Sequence, residues 1–202
     1  MRVVLAAMDE ALAAAWEAAF AEFDEVQVHR GSILDVEVDA LVSPANSFGF
    51  MDGGIDALYS EHFGWDLQLR LRRAILEQHA GELLIGQAAV VPTENDRHPW
   101  LIAAPTMRVP MALGRETVNP YLATRAALLL ARDGRVGDGI KSLAFPGMGT
   151  GVGRVPSQLC ARQMRAAVET VLRSPAKLPQ SWAEASEDHQ LLYTDRPTRL
   201  QY

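Results

Sequence analysis

Residues 43–56 read SPANSFGFMDGGID and follow a continuous apolar run, VDALV, at positions 38–42. Such a run is typical of a strand buried in a covered sheet. The segment after it contains three glycines, one asparagine and two aspartates, which favour neither helix nor strand. A simple connection would be shorter and would not need the apolar residues 48–51. The segment therefore predicts a functional loop at the carboxyl end of a strand.

A second glycine-rich loop follows another apolar strand, in the stretch SLAFPGMGTGVGRVP at residues 142–156. Glycines let backbone N–H groups approach an anion closely, and a following helix N-terminus adds roughly half a positive charge. Neither loop reads GxxxxGK[ST], and residues 149–154 match the dinucleotide pattern GxGxxG only in part. Each loop alone could be a tight turn, but two of them at strand ends predict a phosphate or diphosphate site.

The rest of the chain alternates between strand-like and helix-like segments. Strands are predicted at 2–7, 26–33, 86–92, 100–106 and near 140–146, and helices at 9–20, 54–63, 65–79, 117–132 and 156–172. This order predicts one α/β domain with a largely parallel sheet and helices on both faces. Residues 174–202 contain more proline and charge, and Trp182, Leu191, Leu192 and Tyr193 indicate an extension that packs against the domain.

The composition excludes several classes of function. The chain has 202 residues, enough for one substantial core, and a formal net charge of −6, which argues against a broad nucleic-acid or membrane surface. One cysteine, Cys160, excludes an internal disulfide or a cysteine-based zinc site, and it is interpreted as a structural residue of a helix. The five histidines show no ligand spacing, so no metal is predicted.

The first twenty residues bear on the cellular location of the protein. An apolar run begins at residue 3 but is interrupted by Asp9, Glu10 and Glu17, so it resembles neither a secretory signal nor a membrane span. A cytoplasmic protein is therefore expected. No cofactor is predicted, and the sequence does not indicate an oligomeric state.

These motifs carry a family resemblance. The stretch GSILDVEVDALVSPANSFGFMDGGIDALYSEHFG, at residues 31–64, resembles the macro domain signature of a strand, an Asn-Ala-Ala-Asn turn and a glycine-rich segment. AFPGMGTGVGRVP, at residues 144–156, resembles the second phosphate loop of that family. The resemblance implies a three-layer α/β/α sandwich with a mixed, largely parallel central sheet over residues 1–173. It also implies binding of ADP-ribose, which several macro domains cleave from proteins or acetylated metabolites.

The resemblance also implies roles for particular residues. Asn46 falls on the asparagine that contacts the distal ribose, and Asp56 falls on an aspartate that helps to place water at the anomeric carbon. Asp52 stands where glycine is usual, as a second candidate catalytic carboxylate or as a helix cap. The residues expected to contact the ligand are Ser32, Ile33, Ala45, Gly53, Gly54, Ile55, Pro146, Gly149, Thr150, Gly151, Val152 and Gly153.

Several positions depart from the family pattern. Ser32 replaces the aspartate that recognises the adenine amino group, so weak discrimination between bases is expected, and Ser32→Asp should tighten adenine-containing ligands about tenfold. Ser43 replaces the first asparagine of the turn, and Gly153 replaces an aromatic residue beside the distal ribose, which leaves that end more open. In the long segment 105–117, Arg108 or Arg115 either covers a phosphate or a macromolecular substrate or is a solvated loop residue, and the solvated role is favoured.

Three functions remain open at this point. The first is a hydrolase that removes ADP-ribose from a modified side chain or metabolite. The second is a reader, meaning a module that binds ADP-ribose or an ADP-ribosylated partner without turnover. The third is a small α/β enzyme acting on another phosphorylated ligand, suggested by Ser32. The pair Asn46 and Asp56 favours turnover, because a reader needs the phosphate loops but no carboxylate at the reacting carbon.

Overall fold

A central six-stranded sheet organises the protein in a computed structural model that describes residues 1–44, 46–133, 136 and 139–198. The strands are β1 (Arg2–Ala7), β2 (Val26–Arg30), β3 (Ala40–Ser43), β4 (Ala89–Pro92), β5 (Trp100–Ala103) and β6 (Ser142–Phe145). Their spatial order is β2-β1-β6-β3-β5-β4, with β4 antiparallel to β5 and the other neighbours parallel. The predicted mixed, largely parallel sheet is therefore confirmed.

Helices cover both faces of this sheet. They are α1 (Glu10–Ala19), α2 (Gly54–Phe63), α3 (Asp66–Gln78), α4 (Asn119–Arg132), α5 (Ser157–Val168) and α6 (Trp182–Leu191). Alternate residues of β1 point to opposite faces, so Leu5 joins one core with Trp16 while Val4 joins the other with Tyr59. The first core holds α1, α4 and α5, and the second holds α2 and α3. The three-layer architecture expected from the sequence is confirmed.

The seam between β3 and β6 positions the two glycine-rich loops. These strands pair only at Ala40 with Leu143 and at Leu41 with Ala144, whereas β3 and β5 pair along four residues. The carboxyl ends of β3 and β6 therefore separate, and the loops that follow them leave the sheet beside a crevice. Crevices of this kind at strand carboxyl ends are where open α/β sheets bind ligands.

The second strand is shorter than predicted. β2 ends at Arg30, because Ser32 begins a short 3-10 turn at Ile33–Asp35 and its hydroxyl oxygen accepts the N–H of Leu34 at 3.3 Å. A serine hydroxyl that bonds the backbone two residues later competes with strand pairing. The predicted contact residues Ser32 and Ile33 therefore lie in this turn rather than in the strand.

The carboxyl-terminal extension makes a looser contact than the layers of the sandwich. Every residue of α6 lies outside the core; Trp182 and Leu191 are exposed, whereas Leu192 and Tyr193 are half-buried. Asp195 accepts from Arg162 of α5 at 2.5 Å. The division into a macro domain at 1–173 and an extension at 174–202 stays a prediction. Within the described residues, no helix has the length and apolar content that crossing a membrane requires.

Candidate functional site

The two glycine-rich loops enclose a cavity of about 270 Å³ at the crevice between β3 and β6. Twelve of the residues expected from the sequence line it: Asn46, Asp52, Gly53, Gly54, Ile55, Asp56, Pro146, Gly149, Thr150, Gly151, Val152 and Gly153. We call it the loop cavity. Positions from two distant parts of the sequence therefore meet at one site, as the sequence analysis predicts, although their individual roles stay predictions.

A second cavity, of about 240 Å³, adjoins the first beside the end of β1. Ser32 and Ile33 line it, and Ile55 and Gly147 line both cavities, so the two spaces share a wall. Its remaining lining residues are Ala6, Ala7, Met8, Asp9, Leu12, Gly31 and Leu58. We call it the β1 cavity. Ala45 was also expected to contact the ligand and lies outside the described residues.

Asp56 is the buried carboxylate of the loop cavity. It lies in the first turn of α2, is 6% exposed, and its Oδ1 accepts the hydroxyl hydrogen of Ser43 at 2.5 Å. Burial raises the pKa of Asp56 to about 7, and the hydrogen bond from Ser43 opposes this rise. The residue that replaces the first asparagine of the family turn thus contacts the candidate catalytic carboxylate. A carboxyl group with a pKa near neutrality can exchange protons at working pH.

This burial makes a prediction about stability and pH. The folded protein retains the proton of Asp56 up to about pH 7, whereas an unfolded aspartate releases it near 3.8. The folded state therefore binds more protons between these values. The contribution of this group to stability is complete below the unfolded pKa and is lost as the pH rises through the folded pKa.

Asp56→Asn should remove this dependence, because the amide stays neutral and its oxygen can still accept from Ser43. Relative to the unmodified protein, the variant should gain up to about 4 kcal/mol in free energy of unfolding between pH 4 and pH 8. Denaturant unfolding at several pH values measures this difference. Asp52→Asn, at an exposed carboxylate of the same cavity, is the matched control. An equal response in both variants would contradict the assignment to Asp56.

Asn46 holds the shape of the first loop. Its Nδ2 donates to the carbonyl of Phe50 at 2.9 Å, and its Oδ1 accepts from the N–H groups of Phe48 and Phe50 at 3.1 and 3.3 Å. The side chain is nearly buried and lines the loop cavity. The bonds within the loop give Asn46 a role as a turn residue, and its contact with the distal ribose stays a prediction.

The interpretation of Asp52 as a helix cap is wrong. Gly53 occupies the N-cap of α2, and Gly54 begins the helix with φ +58°, in the region that favours glycine. These two glycines turn the backbone so that the preceding Asp52 side chain is exposed beside the cavity. Asp52 therefore remains the rival carboxylate to Asp56.

Several glycines of the second loop lie where a side chain would collide with neighbouring atoms. Gly149 has φ +76°, and a Cβ added at Gly153 would lie 2.4 Å from the carbonyl oxygen of Gly149. An added Cβ at Gly147 would lie 2.2 Å from Oγ1 of Thr150. At Gly151, by contrast, an added Cβ has no heavy atom of the described residues within 4 Å. At Gly147, Gly149, Gly151 and Gly153 the loop therefore presents backbone to the cavity wall.

The long segment after β5 completes the wall. Thr106, Met107 and Pro110 line the loop cavity, and the N–H of Leu113 donates to the carbonyl of Gly153 at 2.9 Å. Thr106, Met107 and Pro110 were not predicted from the sequence, although the length of the segment and its place after a strand end indicated a functional loop.

The proposal that Arg108 covers a phosphate does not fit its position. The Nε of Arg108 donates to Glu82 at 2.6 Å, and the guanidinium lies 5.0 Å from the ring centroid of Phe48. Neither Arg108 nor Arg115 belongs to the described lining of either cavity. The solvated loop interpretation is the one that the contacts of Arg108 support.

Cys160 is a structural residue, as interpreted from the sequence. It is buried in α5, its Sγ lies 3.5 Å from Sδ of Met164, and burial raises the pKa of its thiol to about 12. A thiol with this pKa is a weak nucleophile at neutral pH. Among the described residues, no group of three or more histidine, cysteine, aspartate or glutamate side chains is arranged to hold a metal.

Comparison with known proteins identifies the family. The model of the Macro domain matches residues 42–164, which include both glycine-rich loops, the end of β3 and all of β6. The chain belongs to the macro domain family. An uncharacterized protein of Aquifex aeolicus is 37% identical to this macro domain over 141 residues, 69% of this chain and 78% of that protein.

More distant relatives agree with this membership. The ADP-ribose glycohydrolase MACROD1 of Mus musculus is 27% identical over 145 residues, which are 72% of this macro domain and 42% of the mouse protein. The macrodomain of Mycobacterium tuberculosis DarG superposes with a TM-score of 0.58 at 22% identity, over 69% of this chain and 86% of that one. An Oceanobacillus iheyensis macrodomain with ADP gives 0.58 at 18% identity, over 68% and 71%. The structural matches support the fold.

Proposed function

We propose that this macro domain binds ADP-ribose across the two adjoining cavities and hydrolyses it from a modified protein or metabolite. One observation carries the catalytic part of the proposal. Asp56, a buried carboxyl group with a pKa near 7, lines the loop cavity at the position expected for the distal ribose. Its environment supplies a proton acceptor beside the bond to be cleaved.

The lining of the loop cavity supports diphosphate binding by backbone groups. Among the described residues, the linings of the two cavities include neither lysine nor arginine. An anion there must be held by N–H groups of the glycine-rich loops and by the helix N-termini that follow them. Binding through backbone groups would be compatible with a net charge of −6 in a protein whose ligand has two negative phosphates.

The chemistry of the two cavities favours one orientation of ADP-ribose. The β1 cavity has apolar walls from residues such as Leu12, Ile33 and Leu58, which suit a flat adenine ring. The loop cavity contains Asp52 and Asp56, whose oxygens suit ribose hydroxyls and water. The diphosphate then lies between, near Gly147, which lines both cavities.

In this orientation Asp56 acts on water at the anomeric carbon. The glycosidic bond to the leaving oxygen or nitrogen breaks through a state with oxocarbenium character, and a water oxygen forms the new bond to carbon. Ionised Asp56 accepts the water proton, while the leaving group takes a proton from solvent. Because this step needs the ionised carboxylate, the rate should rise with pH until Asp56 is deprotonated.

A reader function is the alternative that a specific observation favours. The amide of Asn46 already makes three hydrogen bonds within its own loop. These bonds let Asn46 fix the conformation of the first loop. Binding without turnover needs this loop conformation but no catalytic contribution from Asn46. The third hypothesis, an enzyme that acts on a different phosphorylated ligand, depends on the β1 cavity, where Ser32 stands in place of the aspartate usual in the family.

One assay separates these functions. Proteins automodified through different linkages are incubated with the macro domain, and free ADP-ribose is measured alongside ADP-ribose binding by titration calorimetry. Release from at least one linkage supports the hydrolase. Binding without release from any linkage supports the reader, and the absence of binding up to millimolar ligand overturns both.

A further inference from the structure

The β1 cavity offers a carboxylate that the family resemblance did not assign. Asp9 follows β1, caps α1 and lines this cavity together with Ser32. The rest of its described lining is apolar side chains and backbone. A heterocyclic base in this space would therefore find its polar side-chain contacts at Asp9 and Ser32.

The two residues differ in what they can recognise. Oδ1 of Asp9 accepts the N–H of Leu12 at 2.7 Å, and a carboxylate has a second oxygen, Oδ2, that can only accept. The Oγ of Ser32 accepts the N–H of Leu34 at 3.3 Å, and its hydroxyl can both donate and accept. Asp9 can therefore bind a hydrogen-bond donor of the ligand but not an acceptor, whereas the hydroxyl of Ser32 can bind a donor or an acceptor.

We propose that Asp9 is the residue that selects adenine, by accepting a hydrogen bond from its 6-amino group through the carboxylate oxygen that does not cap α1. The inference rests on the proposed binding of ADP-ribose with its base in the β1 cavity. It replaces the expectation that this protein discriminates weakly between bases because Ser32 has lost the carboxylate. A purine with an oxygen at position 6 would face the carboxylate with a second acceptor and bind less tightly.

Asp9→Asn tests the proposal with little disturbance of the fold. Asparagine caps helices about as well as aspartate, so its side-chain oxygen can still accept from Leu12. The other atom of the side chain changes from an acceptor to an NH₂ donor. Affinities are measured by calorimetry for ADP-ribose and for its hypoxanthine counterpart, which carries a 6-oxo group.

The unmodified protein should prefer ADP-ribose by about tenfold, the effect of one charge-assisted hydrogen bond at an exposed site. Asp9→Asn should remove or reverse this preference, since the amide donates to a 6-oxo group. Asp9→Ser keeps a capping side chain without a carboxylate and should remove the preference without reversing it. Asp66→Asn, in the first turn of α3 and outside the lining of both cavities, should leave the preference intact.

An unchanged preference in folded Asp9→Asn and Asp9→Ser proteins overturns the inference. The inference also fails if Ser32→Asp tightens ADP-ribose tenfold while both Asp9 variants have no effect, because base selection then belongs to position 32. If the unmodified protein binds neither ligand, the proposed function itself fails. Binding of both ligands with equal affinity leaves the proposed function in place and rejects only the role of Asp9.

Discussion

Gly151→Glu should abolish ADP-ribose binding. An added side chain at this position meets open space on the wall of the loop cavity, so the variant can fold with its carboxylate beside the expected diphosphate. A like charge about 4 Å from a phosphate costs on the order of 4 kcal/mol in a partly desolvated site, or roughly a thousandfold in affinity. Titration calorimetry with ADP-ribose measures the loss.

Two glycine variants provide the controls. Gly151→Ala adds bulk without charge and should weaken binding far less. Gly114→Glu adds the same charge at an exposed glycine that lies outside the lining of the loop cavity, where an added Cβ also has no described neighbour within 4 Å. If Gly114→Glu weakens binding as much as Gly151→Glu, the loss of affinity results from the added net charge, and the proposed position of the diphosphate beside Gly151 is wrong.

Asp56→Ala should lose most hydrolysis while it retains ligand affinity within a few-fold. Removal of a positioned acid or base group typically lowers the rate by roughly 10²–10⁴. The phosphate contacts come from the glycine-rich loops, so they remain. Single-turnover release of ADP-ribose from the best linkage measures the rate, and calorimetry on the same variant measures the affinity.

Asp52→Ala must be measured in parallel, because Asp52 is the exposed carboxylate of the same cavity. Loss of activity in Asp52→Ala with retention in Asp56→Ala moves the catalytic role to the position where this chain departs from the family. Loss in both variants indicates that the two carboxylates act together. Full activity in both excludes a carboxylate mechanism at this cavity.

The features predicted from sequence are those that local patterns determine. The continuous apolar run before Ser43 predicted a buried strand, and the alternation of strand-like with helix-like segments along the chain predicted the largely parallel sheet and its covering helices. The glycines of both loops predicted that the backbone approaches the ligand closely there. The resemblance then related Asp56 to Asn46 and placed both at one site.

The features that were missed depend on contacts between distant segments. The pairing of Arg108 with Glu82 joins residues 26 positions apart, and nothing in the local sequence of either residue specifies it. The place of Asp9 in the β1 cavity depends on how the end of β1 lies against Gly31 and Ser32. The burial that raises the pKa of Asp56 likewise results from packing of α2 against the sheet rather than from its neighbours in sequence.

The crowded backbone of the second loop has a consequence for protein engineering. Gly147 and Gly153 cannot gain a side chain without moving Thr150 or the Gly149 carbonyl, and Gly149 has a backbone angle that side chains disfavour. Variation of ligand size or charge is therefore confined to Gly151 and its exposed neighbour Val152. A library restricted to these two positions would vary the ligand contacts while the loop backbone keeps its conformation, whereas substitutions at the other glycines would force the loop to rearrange.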